Sequence, residues 1–487
     1  MDFIKKLAGQ TAVYGLSSIV GRLLNYLLVP LYTAAFADPK DYGVVSDLYA
    51  WVAFLVVLLT FGMETSFFRF LHREEDPKKV FRNSFLTVIG VNGFFLLLVL
   101  FFHQSIAEAL LYPEHSEYII LLGLIVAIDA ISAMPLAKLR AEEQAKRFAL
   151  VQFSSIAVNV VLNLILMLLV FDKSRPEEGV LFILLTNLLA SLVKPVLLYR
   201  DFIGLKWRID RSLVMEMTKY AVPLVIAGFA GIINETVDRI LLRRLLFTGG
   251  MSLDEATAQV GIYSAVYKLA MLVTIFIQAY RYAAEPFFFA QTRNEDREKI
   301  YGKIMNFFVA GVCFVFLLVS VNIDIFKHFI RNETYWVGLG VVPILLLANV
   351  FLGVYYNQSI WYKLSGQTRF GAYIAVGGAS VTLALNILLI PSFGYWACAW
   401  VTLLVYAGQM VASYFLGQRH YPIKYNIRKF FLYVLSSLLL FALSRLIEVP
   451  GAFFHFLIQN LLVAAFVGLV WYMEKPSSGS QSPEIPR

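Results

Sequence analysis

Charged residues are scarce in this chain of 487 residues: Asp, Glu, Lys and Arg make up 15% of it, where a soluble globular domain averages about 25%. That shortage argues against a water-surrounded globule. Cysteine is scarcer still. The two present, Cys313 and Cys398, each sit inside an apolar run, so no disulfide framework is available. The six histidines, His72, His103, His115, His328, His420 and His455, fall mostly at the ends of such runs and in no metal-ligand spacing. A glycine-rich phosphate loop is missing, and the longest polar connection on the outward side, 104–117, is too short for a folded extramembrane domain. ATP-driven pumping by this chain alone has nothing to stand on.

Hydrocarbon chemistry takes up the room instead, with 59% hydrophobic residues and a mean hydropathy of +0.70. A helix needs ~20 apolar residues to cross a hydrocarbon core ~30 Å thick, and the apolar runs have that length. The ~10-residue alternating segments of membrane barrels do not occur. About fourteen transmembrane helices are predicted, near 11–36, 45–68, 84–103, 118–137, 149–171, 180–199, 220–245, 258–280, 302–323, 337–362, 371–390, 396–416, 430–447 and 452–472. Lys5 and Lys6 precede a first run too long for a cleaved signal, which is expected to stay as the first span. Lys and Arg collect around Lys5 and Lys6, in 69–82, 138–147, 200–219, 293–303, 363–369 and 419–429, and in the C-terminal tail. These are alternate connections, which puts both termini inside. The formal charge of +8 is then a topology signal, and no stretch pairs a basic face with the aromatic platforms of a nucleic-acid site.

One phrase is written twice. Lys138-Leu139, Arg147-Phe148 and Asn163 return as Lys363-Leu364, Arg369-Phe370 and Asn386, with the flanking apolar runs in step. Tyr42-Gly43, opening the second span, has a fainter echo in Gly261-Ile262-Tyr263, opening the eighth. Equivalent points lie six spans apart, and an even number preserves orientation. The expected architecture is an all-α integral membrane protein of two parallel six-helix lobes, 1–210 and 211–425, with substrate bound between them. Residues 426–473 add two spans without a repeat partner, and the Ser/Pro-rich 474–487 reads as a disordered cytoplasmic tail.

Gly21-Arg22 through Pro30-Leu31-Tyr32, Asp41-Tyr42-Gly43, Phe61-Gly62-Met63-Glu64, and Asn386 through Pro391 to Gly394 carry a family likeness. They resemble the polysaccharide-biosynthesis flippases, the Wzx-type oligosaccharide-lipid translocases of the superfamily (MOP) that includes MATE drug exporters and lipid II flippases. The resemblance covers essentially the whole chain. It implies a MATE-like, V-shaped pair of lobes in the bacterial cytoplasmic (inner) membrane. The implied cargo is an undecaprenyl-diphosphate-linked oligosaccharide, moved from inner to outer leaflet by alternating access for O-antigen, capsule or exopolysaccharide assembly. The implied partners are that lipid-linked substrate, membrane lipids and the polysaccharide polymerase or ligase machinery, with no bond chemistry and no nucleic acid.

The residues support an anionic headgroup on their own account. An ionisable side chain at bilayer depth costs about 2.5–3.5 kcal/mol on insertion scales, so it turns toward a partner or an aqueous cavity. Arg22, with Asn25 one turn on, lies deep in the first span, and Lys268 and Arg281 lie in the eighth. One reading has Arg22, Asn25, Glu64, Lys268 and Arg281 line a central cavity for a diphosphate; the other pairs Arg22 with Glu64 or Asp129 as a helix lock. In the seventh span Asn234, Glu235, Asp238 and Arg239 crowd together, with Glu235 spaced to meet both Asp238 and Arg239. A carboxylate pair there suits H⁺ coupling. A Na⁺ site is the alternative if Asn386 and Thr402 add oxygens, and in the lipid II branch, as the resemblance implies, a Na⁺ sits among those three helices. A third reading is a plain Glu235–Arg239 salt bridge. Lys138, Arg140, Lys146, Arg147, Lys363 and Arg369 read first as orientation signals and headgroup contacts, then as a mouth that gathers pyrophosphate lipid. Asn163 and Asn386 read as interhelical hydrogen-bonders before ligands.

Three functions from different classes follow: a flippase for a polyprenyl-diphosphate glycan, lipid II included; a MATE-like exporter of cationic drugs; and a membrane-embedded glycan polymerase or ligase. The cations Arg22, Lys268 and Arg281 count against the second, and the short outward loops against the third.

Overall fold

Proline and aspartate mark where the apolar runs become helices. The computed structural model describes residues 20, 23–24, 26–71, 73–203, 207–290, 297–447 and 451–475. Its helices are α1 (Val29–Ala35), α2 (Pro39–Thr60), α3 (Met63–Leu71), α4 (Pro77–Ala109), α5 (Ser116–Ala141), α6 (Ala145–Ile165) and α7 (Pro176–Leu197). There follow α8 (Arg211–Thr248), α9 (Leu253–Ala290), α10 (Arg297–Val321), α11 (Val342–Gln358), α12 (Arg369–Phe393), α13 (Tyr395–His420), α14 (Ile427–Leu446) and α15 (Ala452–Glu474). Asp38, Asp76 and Asp210 cap α2, α4 and α8, accepting from backbone N–H groups at 2.9–3.2 Å. Pro39 and Pro77 stand just inside the first two of those starts, where a missing N–H costs nothing. Asp210 also meets Lys79 Nζ at 2.8 Å, and that ammonium, with the cap bonds, holds its carboxyl below the ordinary range. Because the folded value lies below the unfolded one, this contribution is in place at neutral pH and fades as acid protonates the group.

Among the described residues, thirteen helices are long and apolar enough to cross a membrane, α2 and α3 counting as one. Each coincides with a predicted span from 45–68 onward. Within the α2–α3 span the chain breaks at Phe61 and Gly62, both left-handed (φ 51° and 60°), and Ala221 lies against Gly62. Of the predicted first span the structure describes only part. Lys5, Lys6, Arg22 and Asn25 lie outside the described residues, as do 476–487 of the predicted tail.

The chain divides into two compact units. The first comprises 1–268, 329–341 and 369–405. Its hub is α8, 38 residues and roughly 57 Å long at 1.5 Å per residue, which packs on α2, α3 and α12. Beside it α4 packs on α5, α5 on α7 and α7 on α6. At the start of α8, Leu213 and Met217 bury against Phe67, Phe70, Phe81 and Phe85, and Ser66 Oγ donates to the Met217 carbonyl at 3.0 Å. The second unit comprises 269–328, 342–368 and 406–487. There α10 packs on α11, α14 and α15, and Lys429 and Tyr433 of α14 hold Glu474 of α15 at 2.8 and 2.7 Å.

The faint echo between residues 43 and 261 is a contact. A Cβ on Gly43 would stand 2.0 Å from the Thr257 carbonyl oxygen, and one on Gly261 would stand 1.9 Å from that of Pro39. Here α2 and α9 touch backbone to backbone, a closeness only glycine allows. Gly43→Ala and Gly261→Ala are each expected to destabilise the protein by about 1–3 kcal/mol or more, measured as a lower midpoint of thermal loss in size-exclusion chromatography. An unchanged midpoint would show that the helices do not approach this closely.

Candidate functional site

Several of the described charges carried into the spans of the first unit are answered by opposite charges. Arg243 of α8 and Asp47 of α2 are 3% and 2% exposed, with Arg243 Nη1 3.1 Å from Asp47 Oδ2. Burial that deep requires every remaining donor to be satisfied. Arg243 Nε donates to Thr257 Oγ1 at 2.9 Å, and its two terminal nitrogens donate to the carbonyls of Leu110 and Leu111 at 3.0 and 3.1 Å. Tyr112 donates its hydroxyl to Asp47 at 2.9 Å and lays its ring 4.0 Å from the guanidinium. Thr257 is the residue whose carbonyl meets Gly43, so this network locks the glycine crossing. Lys40 pairs with Asp254 at 2.8 Å nearby in sequence. None of these residues was singled out as a site from the sequence, although an ionisable side chain inside an apolar run is itself the signal.

The two carboxylates read as partners for Arg22, which lies outside the described residues, each hold another cation. Glu64 is ion-paired with Arg140, and Asp129 with Lys194 at 2.8 Å.

On α8, Glu235 is exposed while Asp238 is buried, so the two acids occupy different surroundings. Arg239 Nη1 lies 3.2 Å from Asp238 Oδ1 and donates to the Glu235 carbonyl oxygen at 2.9 Å. Tyr263 of α9 donates to Asp238 Oδ2 at 2.7 Å. Arg239 also sits 4.6 Å from the Tyr267 ring. Next along α9 comes Lys268, half-buried, with Arg239 as its charged neighbour. Among the described residues Lys268 has no hydrogen-bond or ion-pair partner. Around Tyr263 and Tyr267, then, Arg239 and Lys268 face buried Asp238, with the exposed Glu235 near Tyr267 as well.

The remaining ion-coupling candidates gather on α8, α12 and α13. Asn234 Oδ1 accepts from Thr382 Oγ1 at 2.9 Å, and Asn386 Nδ2 donates to the Thr382 carbonyl at 2.9 Å. Cys398 Sγ reaches the Asp238 carbonyl at 3.9 Å, and Thr402 Oγ1 donates to the Cys398 carbonyl at 2.8 Å. Asn386 Oδ1 is buried without a hydrogen-bond partner. Asp238, the buried carboxylate of this group, is paired with Arg239. Asn163, by contrast, bonds across helices, to Thr186 at 2.8 Å and from Tyr32 at 2.8 Å.

The twice-written phrase is held differently in its two copies. In the first, Lys138 and Arg147 reach the two oxygens of buried Asp201 at 2.9 and 2.7 Å. In the second, Lys363 lines a cavity with Arg281, while the Arg369 guanidinium lies 5.4 Å from the Phe370 ring.

The sequence model of the polysaccharide biosynthesis protein family matches residues 7–292. YabM, an uncharacterized membrane protein of Bacillus subtilis (strain 168), is 24% identical over 192 residues, 38% of this chain and 35% of that protein. The match thus spans about a third of that relative. Lsg locus putative protein 1 of Haemophilus influenzae is 19% identical over 428 residues, 86% of this chain and 94% of that protein. Among solved structures, an inward closed conformation of the lipid II flippase MurJ has a TM-score of 0.68 at 13% identity, covering 94% of this chain and 98% of that one. An inward-facing multidrug resistance MATE family transporter of the MOP superfamily gives 0.60 at 14%, covering 81% and 93%. The fold is therefore the all-α MurJ and MATE fold.

For the buried lock, Asp47→Ala is expected to cost about 3–5 kcal/mol, because it strands a guanidinium. The double variant Asp47→Leu/Arg243→Met is expected to lose clearly less, as measured by a double-mutant cycle on thermal stability. Additive losses would show that the pair is not coupled.

Proposed function

Since this chain belongs to the polysaccharide biosynthesis protein family, membrane transporters of the MOP fold, we propose that it flips an undecaprenyl-diphosphate-linked oligosaccharide from the inner to the outer leaflet of the bacterial cytoplasmic membrane. The product feeds surface polysaccharide assembly. The observation that carries this reading is Lys268 of α9, which among the described residues has no hydrogen-bond or ion-pair partner and has Arg239 as its charged neighbour. A lone ammonium at bilayer depth is costly, and a diphosphate supplies what it lacks. A cationic drug would add to the imbalance. Arg281, Arg22, Asn25 and Glu64 are assigned to the same substrate path.

With the basic connections inside, the Gly43–Gly261 crossing and the Arg243–Asp47 lock lie at the outward end of α2, α8 and α9. Release outward then requires the crossing to part and both charges to become hydrated. Uptake from the inner leaflet requires it shut. That alternation is the transport cycle, and no bond in the cargo is made or broken.

Asp238 is assigned the coupling role. Arg239 is its present counter-ion, and a proton taken up by the carboxylate would free the guanidinium for the diphosphate. On release of the cargo the proton leaves and the pair re-forms. Asn234, Glu235, Asn386 and Thr402 are assigned to the surroundings of this exchange.

In a strain lacking the gene, Lys268→Gln is expected to restore surface glycan at least tenfold less than wild type, the scale of one charge-assisted hydrogen bond, while Lys268→Arg restores most of it. Equal amounts of inserted protein are verified by immunoblot. Full export by Lys268→Gln would remove the cationic-centre reading, and arrest of cell-wall growth instead of glycan loss would reassign the cargo to lipid II. In vesicles, Asp238→Asn is expected to slow transport and flatten its pH dependence. A variant that keeps the pH dependence, or exchanges it for a Na⁺ dependence, would contradict the proton exchange.

A further inference from the structure

One outward stretch of chain groups with a different unit from its own flanks. With the basic connections inside, the chain between α10 and α11 is an outward connection. Residues 269–328 and 342–368 fall in the second unit, whereas 329–341 between them fall in the first. Contacts, and not place in the chain, decide where this segment belongs. Nine of its residues, Glu333–Val341, wind into a 3₁₀ helix, and runs of that helix beyond about four residues are uncommon. Neighbouring elements must therefore hold it in shape.

Its first hold is on α1. The Phe329 ring stacks on Tyr26, ahead of α1, at 4.4 Å, and the Arg331 N–H donates to Thr33 Oγ1 at 3.1 Å. Asn332 Nδ2 donates to the carbonyls of Phe36 and Ala37, just past the end of α1, at 3.2 and 3.0 Å. A helix end leaves its last carbonyls without partners of its own, and Asn332 supplies one. Its second hold is on the glycine crossing. Tyr335, fully buried, meets the Tyr42 ring of α2 edge-on at 6.2 Å, and Gly338 lies against Ile262 of α9. Tyr42 and Ile262 are the chain neighbours of Gly43 and Gly261. The segment thus grips both helices where their backbones touch.

We propose that 329–341 is the latch of the outward gate, with Asn332 as its catch on α1. This rests on the transport reading: cargo leaves outward only if α2 and α9 part, and a segment that holds both must first release one. The catch suits that duty, because two neutral hydrogen bonds near water, the one to Ala37 exposed, are weak enough to break in every cycle.

The first test puts Asn332→Cys and Ala37→Cys into the full chain in proteoliposomes and joins them with a short, reducible bis-methanethiosulfonate linker. Cys313 and Cys398 are buried, and each single variant serves as their control. Joining the two positions is expected to bring exchange of a fluorescent undecaprenyl-diphosphate oligosaccharide down to the rate of protein-free vesicles, and dithiothreitol to restore it. Undiminished exchange by protein whose linkage is confirmed by intact mass overturns the latch. The second test needs no cargo. Ser264, 3% exposed, lies three residues beyond Gly261 on the same side of α9. A Ser264→Cys reporter is expected to react with a membrane-impermeant maleimide about tenfold faster when Asn332→Asp is added. The aspartate keeps an oxygen to accept from the Thr334 N–H, as Asn332 does at 3.0 Å, and loses the donor to α1. An unchanged labelling rate also overturns the latch. If labelling responds as expected while the unlinked protein moves the lipid no faster than protein-free vesicles, the latch stands and the flippase reading falls.

Discussion

An ion placed in hydrocarbon needs an answering charge, and the first unit is organised by that requirement. Asp47 answers Arg243, Asp129 answers Lys194, and Asp238 answers Arg239. Both partners of the Arg243–Asp47 and Arg239–Asp238 pairs are largely shielded from water. Lys268 is the exception among them, a cation whose charged neighbour is another cation.

A glycine crossing supplies the frame on which this pattern rests. Gly43 and Gly261 meet there, and their contact lets α2 and α9 approach to backbone distance. The Arg243 network sits at the same crossing through Thr257, so shape and charge close the same end together. Function resides where the copies diverge. Asp201 fills the first copy with a built-in anion, while its positional counterpart in the second, Lys424, pairs with Glu298 at 4.0 Å. Asn163 is fully bonded between helices, while Asn386 leaves a buried oxygen unanswered.

Much of this was legible in the residues because lipid imposes simple rules. Span length and the aspartate and proline starts follow from the need to satisfy backbone donors locally, and the described helices fall where the apolar runs predict. The partners of charged groups were harder to read. Arg243 and Asp47 are nearly two hundred residues apart, so no local spacing announces them. Glu64 pairs with Arg140, 76 residues away, a partner no local spacing announces. Glu235 and Asp238 are three residues apart on one helix, which leaves about 60° between them. That angle is enough to expose the first and bury the second. The glycine contact was audible only as a weak echo, because a close approach needs just one small residue on each helix.

The most direct test follows leaflet exchange itself. A fluorescent undecaprenyl-diphosphate oligosaccharide is placed in proteoliposomes, and its exposure to an external quencher is timed against protein-free vesicles. The account expects the protein to speed exchange of this anionic lipid and to leave a cationic dye unmoved. Exchange no faster than in protein-free vesicles, or transport of the dye alone, would contradict it.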